Sequence, residues 1–346
     1  MMNGNSPFHK GRVRSFRRTS RSAAVALLAP LCLLAACSSY VHDLRRVVEP
    51  VDAASMEPRL HDVGLPLLVA VAEWCPFEQE STYGFLLKDE GGSHDQAAQS
   101  TDRKAIVAYV HPQLAAASAG LAPGDQVVQV NTQNVLEAGA EDVMLLVRRL
   151  TAARIQPLLL EVERGAERRM VTMWAVPACQ FSLRLIESEQ INGVSDGRQV
   201  AVTTGAMRFF VWDDELAWML SHEIAHNVLS HVDSAKLRLA LGAFLGATVG
   251  SSAGPAVSPP SRSLEVQADY VGSYLMARAG YDLDAVRRVW QRLGNIESRQ
   301  AGLGYEVLRS HPTTVERLAD FEQTLKEINE KRRRGESLQP RLEHAP

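Results

Sequence analysis

One stretch of five residues constrains this chain more than any other, because His222-Glu223-Ile224-Ala225-His226 follows the pattern HExxH. On a helix, residues four apart lie on one face, so both imidazoles can reach one metal ion while the carboxylate between them reaches a bound water. Apolar residues recur at helical spacing from Asp214 to Ser230, and acidic residues stand in the first turn, where the helix dipole favours them. The pattern predicts a zinc-dependent peptidase site on a helix.

The third metal ligand has to come from farther along the chain. A catalytic zinc ion takes three protein ligands and leaves a fourth position for water. The longer pattern HExxHxxGxxH is excluded, since Leu229 and Val232 stand where it requires Gly and His. His231 points to roughly the opposite side of a continuous helix from His222, so we interpret it as structural or exposed.

Glu265 is the better candidate for this ligand. It opens a second amphipathic segment, which runs to Gly280 and is predicted to be a helix. Asp269 lies four residues later on the same face, so it can accept a hydrogen bond from a liganding imidazole while Glu265 binds zinc. The alternative is a solvated acidic face, which is the commoner environment of a single helical glutamate.

Several separate motifs resemble those of the gluzincin metallopeptidases, which include HtpX, the CAAX prenyl endopeptidases and small periplasmic lipoprotein proteases of Gram-negative bacteria. The matches cover roughly residues 180–330 in the family's order. They are Asn192-Gly193, the strand and turn 199–207, Asp214-Glu215-Leu216-Ala217, HExxH, Glu265-x-x-Ala268-Asp269, Ala279-Gly280-Tyr281-Asp282 and His311-Pro312-Thr313-Thr314-x-x-Arg317. One departure is Asn192-Gly193-Val194 in place of the usual Asn-Ala-Phe, which affects a wall of the site and no ligand.

The resemblance implies a zinc endopeptidase that binds one Zn²⁺ per chain through His222, His226 and Glu265. In the mechanism that follows from these parts, zinc polarises the scissile carbonyl and lowers the pKa of its water, while Glu223 takes the water proton and delivers it to the leaving amine. No covalent enzyme intermediate is needed. No serine lies in a G-x-S-x-G nucleophile elbow, so serine-hydrolase chemistry has no support.

Two residues near the C-terminus have implied roles with open alternatives. The resemblance implies that His311 stabilises the oxyanion formed during attack. The alternative is a helix entrance, because Ser310 followed by His-Pro is a common way to begin a helix. Arg317 would lie on the same helix and pair with an acid near the site, although a plain surface arginine is the competing interpretation.

The N-terminus predicts export and a lipid anchor. Six basic residues precede an apolar run from Ala23 to Ala36 that is too short for a comfortable membrane span and is typical of a signal peptide, residues 1–36. Leu34-Ala35-Ala36-Cys37 resembles the bacterial lipobox, which makes Cys37 the lipidated first residue; ordinary secretion with cleavage near Ala35 or Ala36 is the alternative. Ser38 after the cysteine implies transfer to the outer membrane, with the catalytic part in the periplasm.

Charge and cysteine usage narrow the partners and the compartment. Residues 1–36 hold six basic and no acidic residues, so the mature chain keeps 31 Lys and Arg against 40 Asp and Glu, which makes nucleic acid an improbable partner. Cys32 leaves with the signal peptide and Cys37 is lipidated, leaving Cys75 and Cys179. An oxidising periplasm favours a disulfide between them, and two separate buried thiols are the alternative.

The segment between these cysteines resembles a PDZ domain over residues 79–176. Tyr83-Gly84-Phe85-Leu86 is similar to the carboxylate-binding loop, Ala119–Asn131 to the characteristic turn and strand, and Asp142–Leu150 to the groove helix. Such a domain lets an extended peptide add as a strand, with a pocket for its last side chain and amides for its terminal carboxylate. The alternative is a unit that gates the protease or docks a partner.

These observations predict an α+β protein. Its expected parts are a signal peptide (1–36), a linker with the first peptidase element near Leu65 to Trp74 (37–78), a mostly β PDZ-like domain (79–176), a mostly helical zinc metallopeptidase domain with a small sheet (177–335) and a disordered tail (336–346). Residues 237–249 form an apolar run of only 13 residues, and residues 250–263 are rich in Gly, Ser and Pro, so the segment 237–263 cannot span a bilayer. A buried core segment followed by a linker is the default there; a lid over the cleft or a membrane-facing loop is the alternative.

The expected function is hydrolysis of misfolded or misassembled envelope proteins, with a membrane contact through Cys37. That expectation rests on the predicted location and on the family resemblance, and no residue of the sequence identifies a particular substrate. The rival is a latent or non-proteolytic envelope assembly factor that binds clients through its PDZ-like domain. A lost ligand or a lost Glu223 would favour the rival, and all of these residues are present.

Overall fold

The computed structural model describes residues 53–75, 80–90, 103–230, 262–299 and 315–341, all of which belong to one compact unit, Val51–Pro346. Cys37, His231, His311 and most of residues 237–263 lie outside the described residues. None of the described helices is both long and apolar enough to cross a bilayer.

Runs of strands and runs of helices follow one another along the chain, and the prediction of an α+β fold is confirmed. The helices are α1 (Ala53–Ala70), α2 (Ala115–Ser118), α3 (Ala140–Ala152), α4 (Thr204–Phe209), α5 (Asp213–Val228), α6 (Arg262–Ala279), α7 (Asp284–Arg299) and α8 (Val315–Arg334). The strands are β1 (Glu80–Thr82), β2 (Phe85–Asp89), β3 (Ala105–Val110), β4 (Gln126–Val130), β5 (Gln133–Asn134), β6 (Leu158–Arg164), β7 (Glu167–Met173), β8 (Val176–Ala178), β9 (Ser182–Ile186), β10 (Gly193–Ser195) and β11 (Gln199–Thr203).

The central part of the chain forms an antiparallel sheet in the order β2-β3-β4-β6-β7, with β5 paired to β4. Its strands follow the period-two rule: Leu158, Leu160 and Val162 face the core of this part, and Leu159 between them is exposed. Helix α3 packs on the sheet. Asp89 at the end of β2 accepts a hydrogen bond from Ala140 N (2.7 Å), which caps the first turn of α3.

Three features attach this sheet to the helical part. Strands β1 and β8 form a two-stranded antiparallel ladder at its entry and exit. Just outside the ladder, Cys75 and Cys179 form a disulfide with a Cα–Cα distance of 5.5 Å. On the other side, Tyr109 at the end of β3 donates a hydrogen bond to Asp62 of α1 (2.5 Å).

The helical part is built around α5, which contacts α1, α6, α7 and the small sheet. This sheet has the order β10-β11-β9, with β9 and β11 parallel and β10 antiparallel at an edge. Helices α5 and α6 cross closely, since a Cβ at Gly272 would lie 3.1 Å from Ser221 O and 3.2 Å from His222 N. The missing side chain lets the two backbones approach beside His222.

Residues 336–341 differ from the sequence prediction of a disordered tail. Gln339 accepts a hydrogen bond from Trp74 Nε1 (2.6 Å) and donates to Glu73 Oε2 (2.8 Å). Its carbonyl accepts from Lys331 Nζ (2.5 Å), and Leu338 packs against the core of the helical part. The polar composition that favours disorder does not reveal these contacts, because Glu73 and Trp74 lie more than 200 residues away in the sequence.

Candidate metal centre

Helix α5 carries both imidazoles and the intervening carboxylate of the HExxH pattern. Asp213, Asp214 and Glu215 occupy its first turn, where the free N–H groups and the helix dipole favour negative charge. The helix is buried over most of its length, so His222, Glu223 and His226 all lie inside the protein. Buried polar groups need partners, and neighbouring elements supply them.

Glu265 in the first turn of α6 meets the two histidines. Its Oε2 lies 3.3 Å from His222 Nε2, and its Oε1 lies 3.4 Å from His226 Nε2. The two Nε2 atoms are 3.1 Å apart, and one ligand atom from each of the three residues lies within 4.8 Å of the others. Two imidazole nitrogens and a carboxylate converging inside the protein form the donor set of catalytic zinc sites, so these residues fit a zinc ion.

Asp269 and Arg317 surround this donor set. Asp269 Oδ1 lies 3.0 Å from His222 Nδ1, an arrangement that leaves Nε2 of the ring to face a metal. Arg317 Nε and Nη2 donate to the two oxygens of Asp269 (2.7 and 2.9 Å), and its Nη1 lies 3.1 Å from Glu265 Oε2. The structure therefore brings together all the described residues for which the sequence predicts a role at the metal.

The electrostatics follow from burial and these partners. Burial by itself lowers the pKa of His222, but the hydrogen bonds and charges of Asp269 and Glu265 outweigh burial and raise this pKa to about 10 in the absence of a metal. Burial raises the pKa of Asp269, yet His222 and Arg317 bring it below its ordinary value. The donor set is thus strongly cation-attracting.

Sequence reasoning missed two residues that connect helix α5 to strand β10 and the turn after it. Ser195, at the end of β10, donates a hydrogen bond to Glu223 Oε2 (2.9 Å). Asn227 accepts from Gly197 N (2.6 Å) and donates to Gln199 O (3.1 Å), which ties the turn after β10 to α5. The available signal was the position of Ser195 two residues after Gly193, because alternate residues of an extended segment share a face.

Aromatic rings line one side of the centre. The ring of Trp218, one turn before His222, lies 6.3 Å from that imidazole and 6.3 Å from the ring of Trp290 on α7. The guanidinium of Arg317 stacks over Trp290 at 5.2 Å. Arg317 and Asp269 are both buried where they meet beside these rings.

The peptide-binding loop predicted from the sequence lies where β2 begins. Gly84 has a φ of +83°, and a Cβ there would lie 2.4 Å from Leu114 Cβ, so only glycine fits. Tyr83 is buried, and its hydroxyl lies 3.3 Å from Thr151 Oγ1 at the end of α3. Phe85 and Leu86 belong to β2, which is an edge strand and can accept a further strand.

The fold and the convergent residues define a class: a metallopeptidase, in which two histidines and a glutamate could hold a metal ion, joined to a PDZ domain. The comparisons agree, because residues 160–325 match the model of peptidase family M48 and residues 76–162 match the PDZ domain model. These two matches confirm the predicted resemblance to a peptidase of family M48 with a PDZ domain.

Individual relatives cover parts of the chain. This chain is 28% identical over 190 residues to the mitochondrial metalloendopeptidase OMA1 of Schizosaccharomyces pombe. The match covers 51% of this chain and 56% of that protein. This chain is also 27% identical over 187 residues to the beta-barrel assembly-enhancing protease of Yersinia pestis. That match covers 47% of this chain and 38% of that protein. The chain therefore spans about half the length of these curated relatives, or less.

Among solved structures, the PDZ domain of HtrA3 bound to a phage-derived ligand is similar to 29% of this chain, over 91% of its own length. The two are 21% identical, with a TM-score of 0.23.

Proposed function

We propose that this protein is a zinc-dependent metalloendopeptidase of the bacterial cell envelope that hydrolyses misfolded or misassembled envelope proteins. The observation that supports it best is the convergence of His222, His226 and Glu265 beside a buried Glu223. His₂Glu is the ligand set of well-known zinc peptidases, and a carboxylate next to the first histidine is where their general base stands.

Each side chain of the site has a distinct role in the proposed reaction. His222, His226 and Glu265 would hold the ion, and when bound there Zn²⁺ supplies Lewis acidity towards the scissile carbonyl and the attacking water. Glu223 takes the proton of the attacking water and delivers it to the leaving amine. Asp269 orients His222, and Arg317 orients Asp269, so the ligand geometry is held before substrate arrives.

Stabilisation of the oxyanion is assigned, as part of the proposal, to His311, which lies outside the described residues. Besides the metal and the base, such a reaction needs a hydrogen-bond donor directed at the negative charge that develops on the carbonyl oxygen. The neighbouring Arg317 supports this assignment, since it begins the part of α8 that packs beside the ligands. A helix entrance at His311-Pro312 is the alternative role.

The location and the clients are also proposals. The lipobox-like Leu34-Ala35-Ala36-Cys37 and the disulfide between Cys75 and Cys179 support a lipid-anchored protein in an oxidising compartment, with the outer membrane as its proposed site. Among the described strands β2 lies at an edge of its sheet, which supports capture of extended chains, including peptide C-termini, by strand addition. The name of the Yersinia pestis relative points to the assembly of β-barrel proteins.

Cleavage of an unfolded β-rich protein tests the proposal. Wild type and Glu223→Gln are compared at equal, verified zinc content. The proposal expects cleavage by the wild type and a loss of at least about 100-fold in the variant, because the amide cannot accept the water proton. A wild type that holds one zinc per chain yet cuts nothing would contradict it and favour the latent or non-proteolytic assembly factor.

A further inference from the structure

Glu223 receives a hydrogen bond from a residue that lies on neither of the helices that carry the metal ligands. Ser195 ends strand β10, and its Oγ donates to Glu223 Oε2 at 2.9 Å. Ser195 is 4% and Glu223 2% exposed. We propose that Ser195 is a positioning residue that holds the Glu223 carboxylate for proton transfer, an inference that rests on the proposed peptidase function.

The alternation of strand β10 brings Ser195 to the carboxylate. Gly193 and Ser195 share the face turned towards α5. A Cβ at Gly193 would lie 3.1 Å from Met219 Sδ and 3.4 Å from Glu223 Cγ, so the strand approaches the helix closely at this residue. The short side chain of Ser195 can therefore reach Glu223, while Val194 packs on the other side of the strand against Ile186 and Ala201.

The turn after Ser195 is tied to the same helix. Asn227, one turn beyond Glu223, accepts a hydrogen bond from Gly197 N and donates to Gln199 O. Asp196 stiffens the turn, since its Oδ1 accepts from Arg198 N and Gln199 N, each at 2.9 Å. The spacing between β10 and α5 is thus held by Gly193 before Ser195 and by Asn227 after it.

The hydrogen bond has a direct chemical consequence. A hydroxyl that donates to one carboxylate oxygen restricts rotation about the last carbon–carbon bond of the side chain, a torsion that is otherwise broadly distributed. Glu223 has to be ionised and correctly turned to accept a proton from the attacking water. Loss of the hydroxyl should therefore slow the chemical step more than it weakens the binding of substrate.

An unfolding experiment tests the contact without any need for activity. The full chain at saturating zinc is unfolded in denaturant as wild type, Ser195→Ala, Glu223→Ala and the double variant. The inference expects the two changes to be non-additive by at least about threefold in the unfolding equilibrium constant. The matched control is Val194→Ala with Glu223→Ala, which should be additive. Additivity of Ser195→Ala with Glu223→Ala would overturn the inference.

Kinetics then test the consequence for the reaction. Ser195→Ala should lower kcat about 10-fold with KM within about twofold of wild type, whereas Ser195→Thr, which keeps the hydroxyl, should recover most of the loss. A wild-type kcat in Ser195→Ala, a loss confined to KM, or no recovery in Ser195→Thr would overturn the inference.

The failure of the proposed function would look different. A wild type that cleaves nothing at one zinc per chain contradicts the peptidase proposal. In that case the unfolding comparison still shows whether Ser195 holds Glu223, because it does not depend on turnover.

Discussion

Arg317 places a positive charge directly behind the proposed metal ligands. The side chain is 3% exposed and contacts both oxygens of Asp269 and one oxygen of Glu265. Burial lowers the pKa of Arg317, but the charges of Asp269 and Glu265 outweigh burial and raise it above its ordinary value. Two buried carboxylates depend on this one guanidinium.

Replacement of Arg317 should therefore be costly. We expect Arg317→Gln to lower the free energy of unfolding by about 3–5 kcal/mol, because it leaves buried carboxylates without their cation. It should also weaken zinc binding, since Asp269 would no longer be held against His222. Denaturant unfolding and zinc titration measure the two effects.

Arg287→Gln is the matched control for this prediction. Arg287 pairs with Glu322 between α7 and α8, but both side chains are more than one-third exposed. Its loss should cost about 0–1 kcal/mol. Equal losses of unfolding free energy in the two variants would show that burial of the Arg317 network adds nothing to stability.

Sequence reasoning reached some of these residues and missed others for a physical reason. His222, His226, Glu265 and Asp269 are separated by four residues within their helices, so helical geometry alone pairs them on common faces. The hydrogen bond from Ser195 to Glu223 depends on how a strand sits on a helix. That spacing is set by tertiary packing, which no local pattern encodes.

At the scale of elements, the centre depends on how closely α5 and α6 cross. Glu265 and Asp269 lie on α6, and His222 lies on α5, so the interhelical distance sets whether the ligand atoms meet. Gly272 permits the approach, because its missing side chain leaves the α6 backbone near Ser221 O and His222 N. The crossing therefore links a packing requirement to the metal ligands.

A single methyl group tests this dependence. Alanine in place of glycine inside a helix ordinarily stabilises it by roughly 1 kcal/mol. At Gly272 we expect the opposite sign, a loss of about 1–3 kcal/mol, because the added Cβ would press on the backbone of α5. Zinc affinity should fall as well. A Gly272→Ala protein with a raised Tm and unchanged zinc affinity would contradict the close crossing.

Sequence patterns predict some of the helices and strands and miss the bounds of others. The resemblance of Tyr83–Leu86, Ala119–Asn131 and Asp142–Leu150 to PDZ motifs predicts a PDZ-like unit, and the family comparison shows a PDZ domain at residues 76–162. Helix α1 begins at Ala53, well before the element expected near Leu65 to Trp74. Pro58 and Pro66 lie inside α1, and prolines usually mark helix ends, so sequence reasoning cannot place its start.

At the scale of the whole molecule, the contact between α1 and β3 joins the PDZ domain to the peptidase part. Tyr109 donates to Asp62, and His111 Nε2 lies 3.3 Å from the Asp62 carbonyl. The ring of His61 lies 5.5 Å from that of Tyr109. Two buried histidines therefore flank this contact, one from each side.

This contact predicts a loss of stability in mild acid. Burial lowers the pKa of His61 more than Glu57 and Asp62 raise it, and burial likewise lowers the pKa of His111 against the influence of Asp62. Below about pH 6.5 these two histidines bind protons in the unfolded chain but not in the folded chain. Their neutral forms therefore contribute fully to the free energy of unfolding above that pH, and this contribution falls as the pH drops.

Denaturant unfolding at pH 7.5 and 5.5 measures the effect. The wild type should lose more free energy of unfolding between these two values than His61→Gln, which has no proton to bind at that site. Comparison of the two proteins cancels the other groups that titrate in this window. Identical pH dependence in both would contradict a lowered pKa for His61.

The central claim is that His222, His226 and Glu265 hold the ion on which hydrolysis depends. Its most direct test is a titration of Zn²⁺ into chelator-treated full-length protein while cleavage of an unfolded β-rich substrate is followed. We predict no cleavage without zinc, a maximum at one zinc per chain, and a demand for far more zinc in Glu265→Gln. Cleavage by the zinc-free protein, or a Glu265→Gln curve that matches the wild type, would contradict the account.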